Sequence, residues 1–266
     1  PPSSVAPVGR NARERAEIRR CPVAPVVVAD IAAGICVERN WFKLSSMSAS
    51  SRSHAATVNF DPAFRARLRD LLIWRRDVRR FRRDPLPAGT LLALIELACL
   101  APSVGLSQPW RFVIVEDTER RAAIKSNFAA CNVEALAAQD TERAGRYAQL
   151  KLEGLEQAPA HLAVFADRAT AQGHGLGRHT MPEMIEYSAV AAVHTIWLAA
   201  RAQGIGMGWV SILDPQAVAA ILAVPAEWKF IGYFCLGYPQ SDDATPELEQ
   251  SGWEHRQLPS SVILRR

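Results

Sequence analysis

"APSVGLSQPWRFVIVED" (residues 101–117) decides how this chain is read. Pro102 stops the apolar, helix-like run before it, and Gly105 permits a positive φ. Ser103 and Ser107 supply short hydroxyl donors, and Pro109 and Trp110 fix the exit into the β-rich "RFVIVED" (111–117). Such a loop either joins a helix to a strand or carries backbone N–H groups and hydroxyls up to a flat polar ligand. Taken alone, it does not choose between the two.

Regular signals extend on both sides of this stretch. "DPAFRARLRDLLIWRR" (61–76) predicts an amphipathic helix, with Asp61 as N-cap, Pro62 at the first helical position and Phe64, Leu68, Leu71 and Leu72 at helical spacing. "AGTLLALIELACLA" (88–101) predicts a second helix. Helical stretches near 118–130 and 140–157 follow, then a strand "HLAVFAD" (161–167) and a polar loop "RATAQGHGLGRHT" (168–180). "PEMIEYSAVAAVHTIWLAARAQG" (182–204) is apolar almost all round, which predicts a buried helix with His194 as a hydrogen-bonded core residue. After "IGMGWVSIL" (205–213), a short helix from Asp214 and Pro215 leads to the apolar strand "FIGYFCLGYP" (230–239). Helices alternating with short β-rich runs predict an α/β (α+β) fold with helices on both sides of one sheet.

Composition excludes several function classes. The net charge is +4 over 266 residues, and +3 of it falls in residues 1–46, where Arg10, Arg13, Arg15, Arg19, Arg20, Arg39 and Lys43 face Glu14, Glu17, Asp30 and Glu38. A near-neutral remainder argues against a nucleic-acid partner. The five cysteines (Cys21, Cys36, Cys99, Cys131 and Cys235) form no CxxC pair, which favours reduced thiols in a cytoplasmic protein and offers no zinc site. The longest apolar stretch, 23–37, is broken by Pro25 and Asp30 and falls short of the roughly 20 residues of a membrane span. A secretory leader is the less favoured reading of it. Residues 1–58 read as an N-terminal extension foreign to the domain at 59–266, with Met47 a candidate start and the earlier residues disordered or weakly structured.

Three motifs carry chemistry. "RRDVRRF" (75–81) places guanidinium forks suited to phosphate around a lone acid. The plain alternative is a solvated helix end in which Asp77 is an ionised carboxylate paired with an arginine. "GHGLG" (173–177) has the length, polarity and glycines of a mobile lid, whereas "GIGMGWVS" (204–211) suggests close backbone approach with Ser211 emerging after Trp209. Neither is a GxGxxG between strand and helix, and no P-loop or GxSxG elbow occurs. His174 and His179 lack the companions of a metal site. Trp74, Trp110, Trp197, Trp209, Trp228 and Trp253 read mostly as core or interface anchors.

In combination, "RRDVRRF", "APSVGLSQPWRFVIVED" and "GIGMGWVSI" before "GYFCLGYP" resemble the flavin-dependent nitroreductase superfamily over residues 60–257. The block "GHGLGRHTMPEMIEYS" (173–188) is similar to the BluB branch, the 5,6-dimethylbenzimidazole synthases. The resemblance implies a three-layer α/β/α sandwich with a mixed central sheet, and a domain-entwined homodimer with FMN at the subunit interface. It assigns the FMN phosphate and ribityl chain to Arg75, Arg76 and Arg79, with Asp77 and Val78 of the same motif also counted among the cofactor-binding residues. It also assigns the flavin border to Ser103, Leu106 and Ser107, and a further phosphate contact to Arg256 in "GWEHRQ" (252–257). Ordinary nitroreductases commonly carry a small polar residue where Asp77 stands. In the BluB branch an aspartate there acts with a serine, here aligned to Ser211.

The implied activity is oxygen-dependent fragmentation of reduced FMN to 5,6-dimethylbenzimidazole and erythrose 4-phosphate, for the lower ligand of vitamin B12. It needs molecular oxygen, no metal, and a separate flavin reductase, with residues 168–181 as the lid that excludes water. The runner-up is an NAD(P)H nitroreductase that recycles its FMN. A non-catalytic flavin-binding or nucleic-acid-binding protein comes third.

Overall fold

Among the described residues four strands form one sheet: β1 (Trp110–Ile114), β2 (Ala160–Asp167), β3 (Gly206–Val210) and β4 (Trp228–Gly237), in the order β1-β2-β4-β3. The computed structural model describes residues 59–138, 145 and 153–266. The extension at 1–58, its candidate start at Met47 and most of 140–152 lie outside the described residues.

Every neighbouring strand pair is antiparallel. Parallel pairing, which a mixed sheet requires, is confined among the described residues to an isolated bridge between Asp77 and Met207. Strand–helix–strand alternation ordinarily signals parallel crossovers. Here the helical connections instead return the chain antiparallel beside the strand it left, from β1 to β2 and from β3 to β4.

The helices begin where local chemistry dictates. α1 (Pro62–Trp74) starts at Asp61, whose side chain accepts the Phe64 N–H. α3 (Thr118–Ala137) starts at Asp117, which accepts from Glu119 and Arg120. α6 (Pro215–Leu222) starts at Asp214, which accepts from Gln216 and Ala217. In each case a carboxylate satisfies first-turn N–H groups that lack helical partners. α2 (Thr90–Ala98), α4 (Gly154–Gln157), α5 (Met184–Ala202) and α7 (Glu247–Gln250) are further α-helices among the described residues.

Side-chain alternation along the strands separates two cores. Leu162 and Val164 of β2 and Phe234 and Leu236 of β4 join Leu94 of α2 and Ala189 and Ile196 of α5 on one face. Ala163, Phe165, Tyr233 and Cys235 join Ile124 of α3 and Val218 of α6 on the other. The result is the three-layer α/β/α arrangement. Within the second layer, His161 is buried beside Tyr233. Its Nε2 donates to the Ala158 carbonyl at 3.2 Å and its Nδ1 accepts the Tyr233 hydroxyl at 2.9 Å. Burial pushes its pKa from 6.5 down to about 4.

Two expectations are corrected. α5 buries one face (Ile185, Ser188, Ala189, Ala192, Val193, Ile196 and Ala200), not its whole circumference. Tyr187 and Val190 are exposed, and so is His194, which is therefore no core histidine of this chain. The sheet covers only one side of this helix. α1 contributes no buried residue, and Phe64, Leu68, Leu72 and Trp74 stand exposed along it. No described helix is long and apolar enough to cross a membrane.

Candidate active site

The arginine-rich segment leaves α1 at Arg75 and lies along the outer edge of β3. The Val78 N–H donates to the Met207 carbonyl at 3.1 Å. The segment's other side is held by the chain beyond β4: the Arg82 N–H donates to Tyr238, and the Gln240 N–H to the Arg80 carbonyl. Two glycines of "GIGMGW" make this approach possible. A Cβ at Gly208 would stand 2.1 Å from the Val78 carbonyl oxygen, and one at Gly206 would stand 2.8 Å from a Val78 methyl. Val78 itself is buried between these elements.

Asp77 is thereby fixed. Its Oδ1 accepts the Trp209 backbone N–H at 2.9 Å, and its Oδ2 lies 3.4 Å from Arg79 Nε. The Asp77 side chain keeps 35% of its surface open. Burial nevertheless raises the carboxyl above the ordinary carboxylate value, against the opposing pulls of the Trp209 N–H and Arg79. The positive setting alone predicts a readily ionised acid; loss of hydration outweighs it.

The arginines divide by role. Arg75 lies over the Trp197 ring at 5.0 Å, and its pKa is lowered, first by burial and then by the positive charge of Arg256, with Asp77 acting the other way. Two like charges thus crowd one corner, although they come from opposite ends of the domain. Arg256 keeps a loose contact with Glu249 at 3.9 Å. Arg76 is only 8% exposed and donates to the Ser241 carbonyl, while its own carbonyl accepts Trp197 Nε1–H at 3.2 Å. Ser211 is exposed just past β3, two residues beyond the amide that holds Asp77.

The second half of the predicted site is the loop after α2. Ser103 Oγ accepts the Gln108 N–H at 3.1 Å, and the Val104 N–H donates to Ser188 Oγ of α5 at 3.0 Å. Gly105, Leu106 and Gln108 all have positive φ. Leu106 is exposed, whereas Ser107 is buried, and its hydroxyl has no hydrogen-bond partner. A buried orphan hydroxyl is costly unless a ligand satisfies it. The 173–177 segment lies directly on this loop: a Cβ at Gly173 would meet the Gly105 carbonyl at 2.6 Å, and one at Gly177 a Val104 methyl at 2.7 Å.

Both halves hang on α5, the loop at Ser188 and the arginine segment at Trp197. Nine residues of helix span roughly 14 Å. Trp197, Ser188 and the Trp209 amide were not singled out as site residues from sequence, since each acts on a partner far away in the chain. Among the described residues no cluster of three or more His, Cys, Asp or Glu is placed to hold a metal ion.

Comparison with known proteins gives the family. The nitroreductase family profile matches residues 72–238. A 5,6-dimethylbenzimidazole synthase of Rhodospirillum rubrum is 57% identical over 206 residues, covering 77% of this chain and 97% of that one. A protein of the same name from Rhodobacter capsulatus is 45% identical, covering 74% and 95%. Among solved structures, iodotyrosine deiodinase bound to FMN and 3-iodo-L-tyrosine superposes with a TM-score of 0.59 at 24% identity, over 74% of this chain and 97% of that one. The chain therefore belongs to the nitroreductase family.

Proposed function

We propose that this protein is a 5,6-dimethylbenzimidazole synthase that consumes reduced FMN with molecular oxygen and releases erythrose 4-phosphate. The observation that carries the reading is Asp77, a partly open carboxylate fixed by a backbone amide among arginines. The residues fit a flavin mononucleotide in three ways. Arg75 and Arg256 crowd like charges in one corner, which a phosphate relieves. The Ser107 hydroxyl is buried without a partner. Leu106 presents an exposed apolar side chain beside it.

Bound reduced FMN supplies the electrons for oxygen and the ribityl carbon that becomes C2 of the product. Arg75, Arg79 and Arg256 hold the phosphate end, with Arg76 and Val78 backing them. Ser103, Leu106 and Ser107 border the ring. Asp77 takes a proton at Oδ2, the oxygen that faces Arg79 rather than the Trp209 amide, and its raised pKa suits a general base better than an ordinary carboxylate does. Ser211 orients reacting atoms by hydrogen bonding, and residues 168–181 exclude water. The exposed apolar faces of α1 and α5 support assembly as a homodimer; the resemblance to the BluB branch adds a flavin that contacts both subunits, a cytoplasmic setting and a separate reductase supplying reduced FMN.

The test is direct. Chemically reduced FMN is mixed with the protein, air is admitted, and the products are separated by chromatography. Dimethylbenzimidazole is expected. Quantitative return of oxidised FMN with peroxide alone would overturn the proposal and leave a flavin-recycling nitroreductase.

A further inference from the structure

We infer that Gln172 is a positioning residue that latches the 168–181 segment onto the loop bordering the flavin, an inference that rests on the reading above. Gln172 Nε2 donates to the Leu106 carbonyl at 2.9 Å and to Gln108 Oε1 at 3.2 Å. Gln108 Nε2 in turn points to the Cys99 carbonyl at the end of α2, at 3.4 Å. A carbonyl only accepts, so both amide orientations are fixed. The two side chains form a relay from α2 through the loop to the lid.

The relay closes on the loop's least favourable backbone. Leu106 (φ 54) and Gln108 (φ 41) occupy the left-handed region without being glycine. Such residues persist only where their surroundings over-determine them. Between them sits Ser107, whose buried hydroxyl has no partner. Gln172 binds the residues on either side of that hydroxyl, and so sets both the loop's shape and the closure of the segment above it.

The isosteric change Gln172→Glu removes the donor and sets a carboxylate against the Leu106 carbonyl and Gln108 Oε1. Gln172→Lys keeps a donor of similar reach. Three quantities are read on the whole protein: hydrogen exchange over 104–108 and 172–177, the dissociation rate of oxidised FMN, and the partition of reduced FMN between dimethylbenzimidazole and peroxide. For Gln172→Glu, exchange and FMN dissociation are expected to quicken about 5- to 100-fold, the size set by two lost hydrogen bonds, with partition shifted toward peroxide. Gln172→Lys is expected to stay within about 2-fold of the parent.

Parent-like exchange and dissociation in Gln172→Glu overturn the latch, as does Gln172→Lys behaving like Gln172→Glu. If the parent protein makes no dimethylbenzimidazole, the proposed function fails, while exchange and dissociation still decide the latch.

Discussion

Gly208→Ala tests the docking of the arginine segment on β3. The added Cβ would lie 2.1 Å from the Val78 carbonyl oxygen, a rigid backbone atom. Restoring an ordinary carbon–oxygen contact requires a shift of roughly 1 Å. That shift breaks the Val78 N–H bond to Met207 (3.1 Å) and strains the Trp209 N–H bond to Asp77 (2.9 Å). One neutral and one charge-assisted hydrogen bond together are worth about 3 kcal/mol. Misplacing a reacting group by 1 Å costs on the order of 100-fold in rate. Urea unfolding is therefore expected to show a loss of about 3 kcal/mol, and dimethylbenzimidazole formation a drop near 100-fold. Gly204→Ala is the control. Gly204 has φ +72 and nothing within 4 Å of an added Cβ, so only backbone strain of about 1 kcal/mol applies, with product formation retained. If Gly208→Ala is no less stable than Gly204→Ala and keeps full product yield, the close approach does not hold Asp77.

Four further outcomes are expected. Asp77 binds its proton more tightly folded than unfolded, so its contribution to stability falls as pH rises from the ordinary value of 3.8 through its raised one. Asp77→Asn should therefore be no less stable than the parent at pH 7 and still bind FMN, yet lose about 10²- to 10⁴-fold in product formation; unfolding or retained product would count against it. The acid limb of the parent's pH–rate profile should have its midpoint above 3.8. His161 behaves oppositely: with its pKa lowered from 6.5 to about 4, stability is full above 6.5 and on the order of 3 kcal/mol is lost as pH falls through that window. Urea melts at several pH values should show this slope, and His161→Gln should flatten it. Finally, Arg75→Ala and Arg256→Ala should each weaken FMN binding without a comparable loss for riboflavin, which lacks the phosphate. Equal losses for both ligands in a titration would remove the phosphate assignment.

What the sequence disclosed and what it hid divide along the range of the forces involved. Asp61, Asp117 and Asp214 mark helix starts because a cap acts on N–H groups two or three residues away. The glycines of "GIGMGW" suggested close backbone approach, and Gly206 and Gly208 provide it. The direction of the Asp77 pKa shift was not legible: the neighbouring arginines are visible in the sequence, but the lost hydration that outweighs them arises only in the fold. His194 looked buried because its sequence neighbours are apolar, yet which side of α5 meets the sheet is decided by strands distant in the chain. The contacts of Trp197 with Arg76 and of Trp209 with Asp77 span 121 and 132 residues, beyond the reach of any periodicity. The two halves of the site were readable one by one, but the helix that carries both was not seen as their link.

The hold on Asp77 also bears on how this protein can change over generations. The donor is the main-chain N–H of residue 209, a group that every amino acid except proline carries. The indole of Trp209 can therefore be exchanged in a drifting lineage without releasing the carboxylate, provided the strand keeps its course. Exchange of the indole costs its packing against Trp197 and Phe234 but leaves the donor in place, and only proline at this position removes the anchor outright.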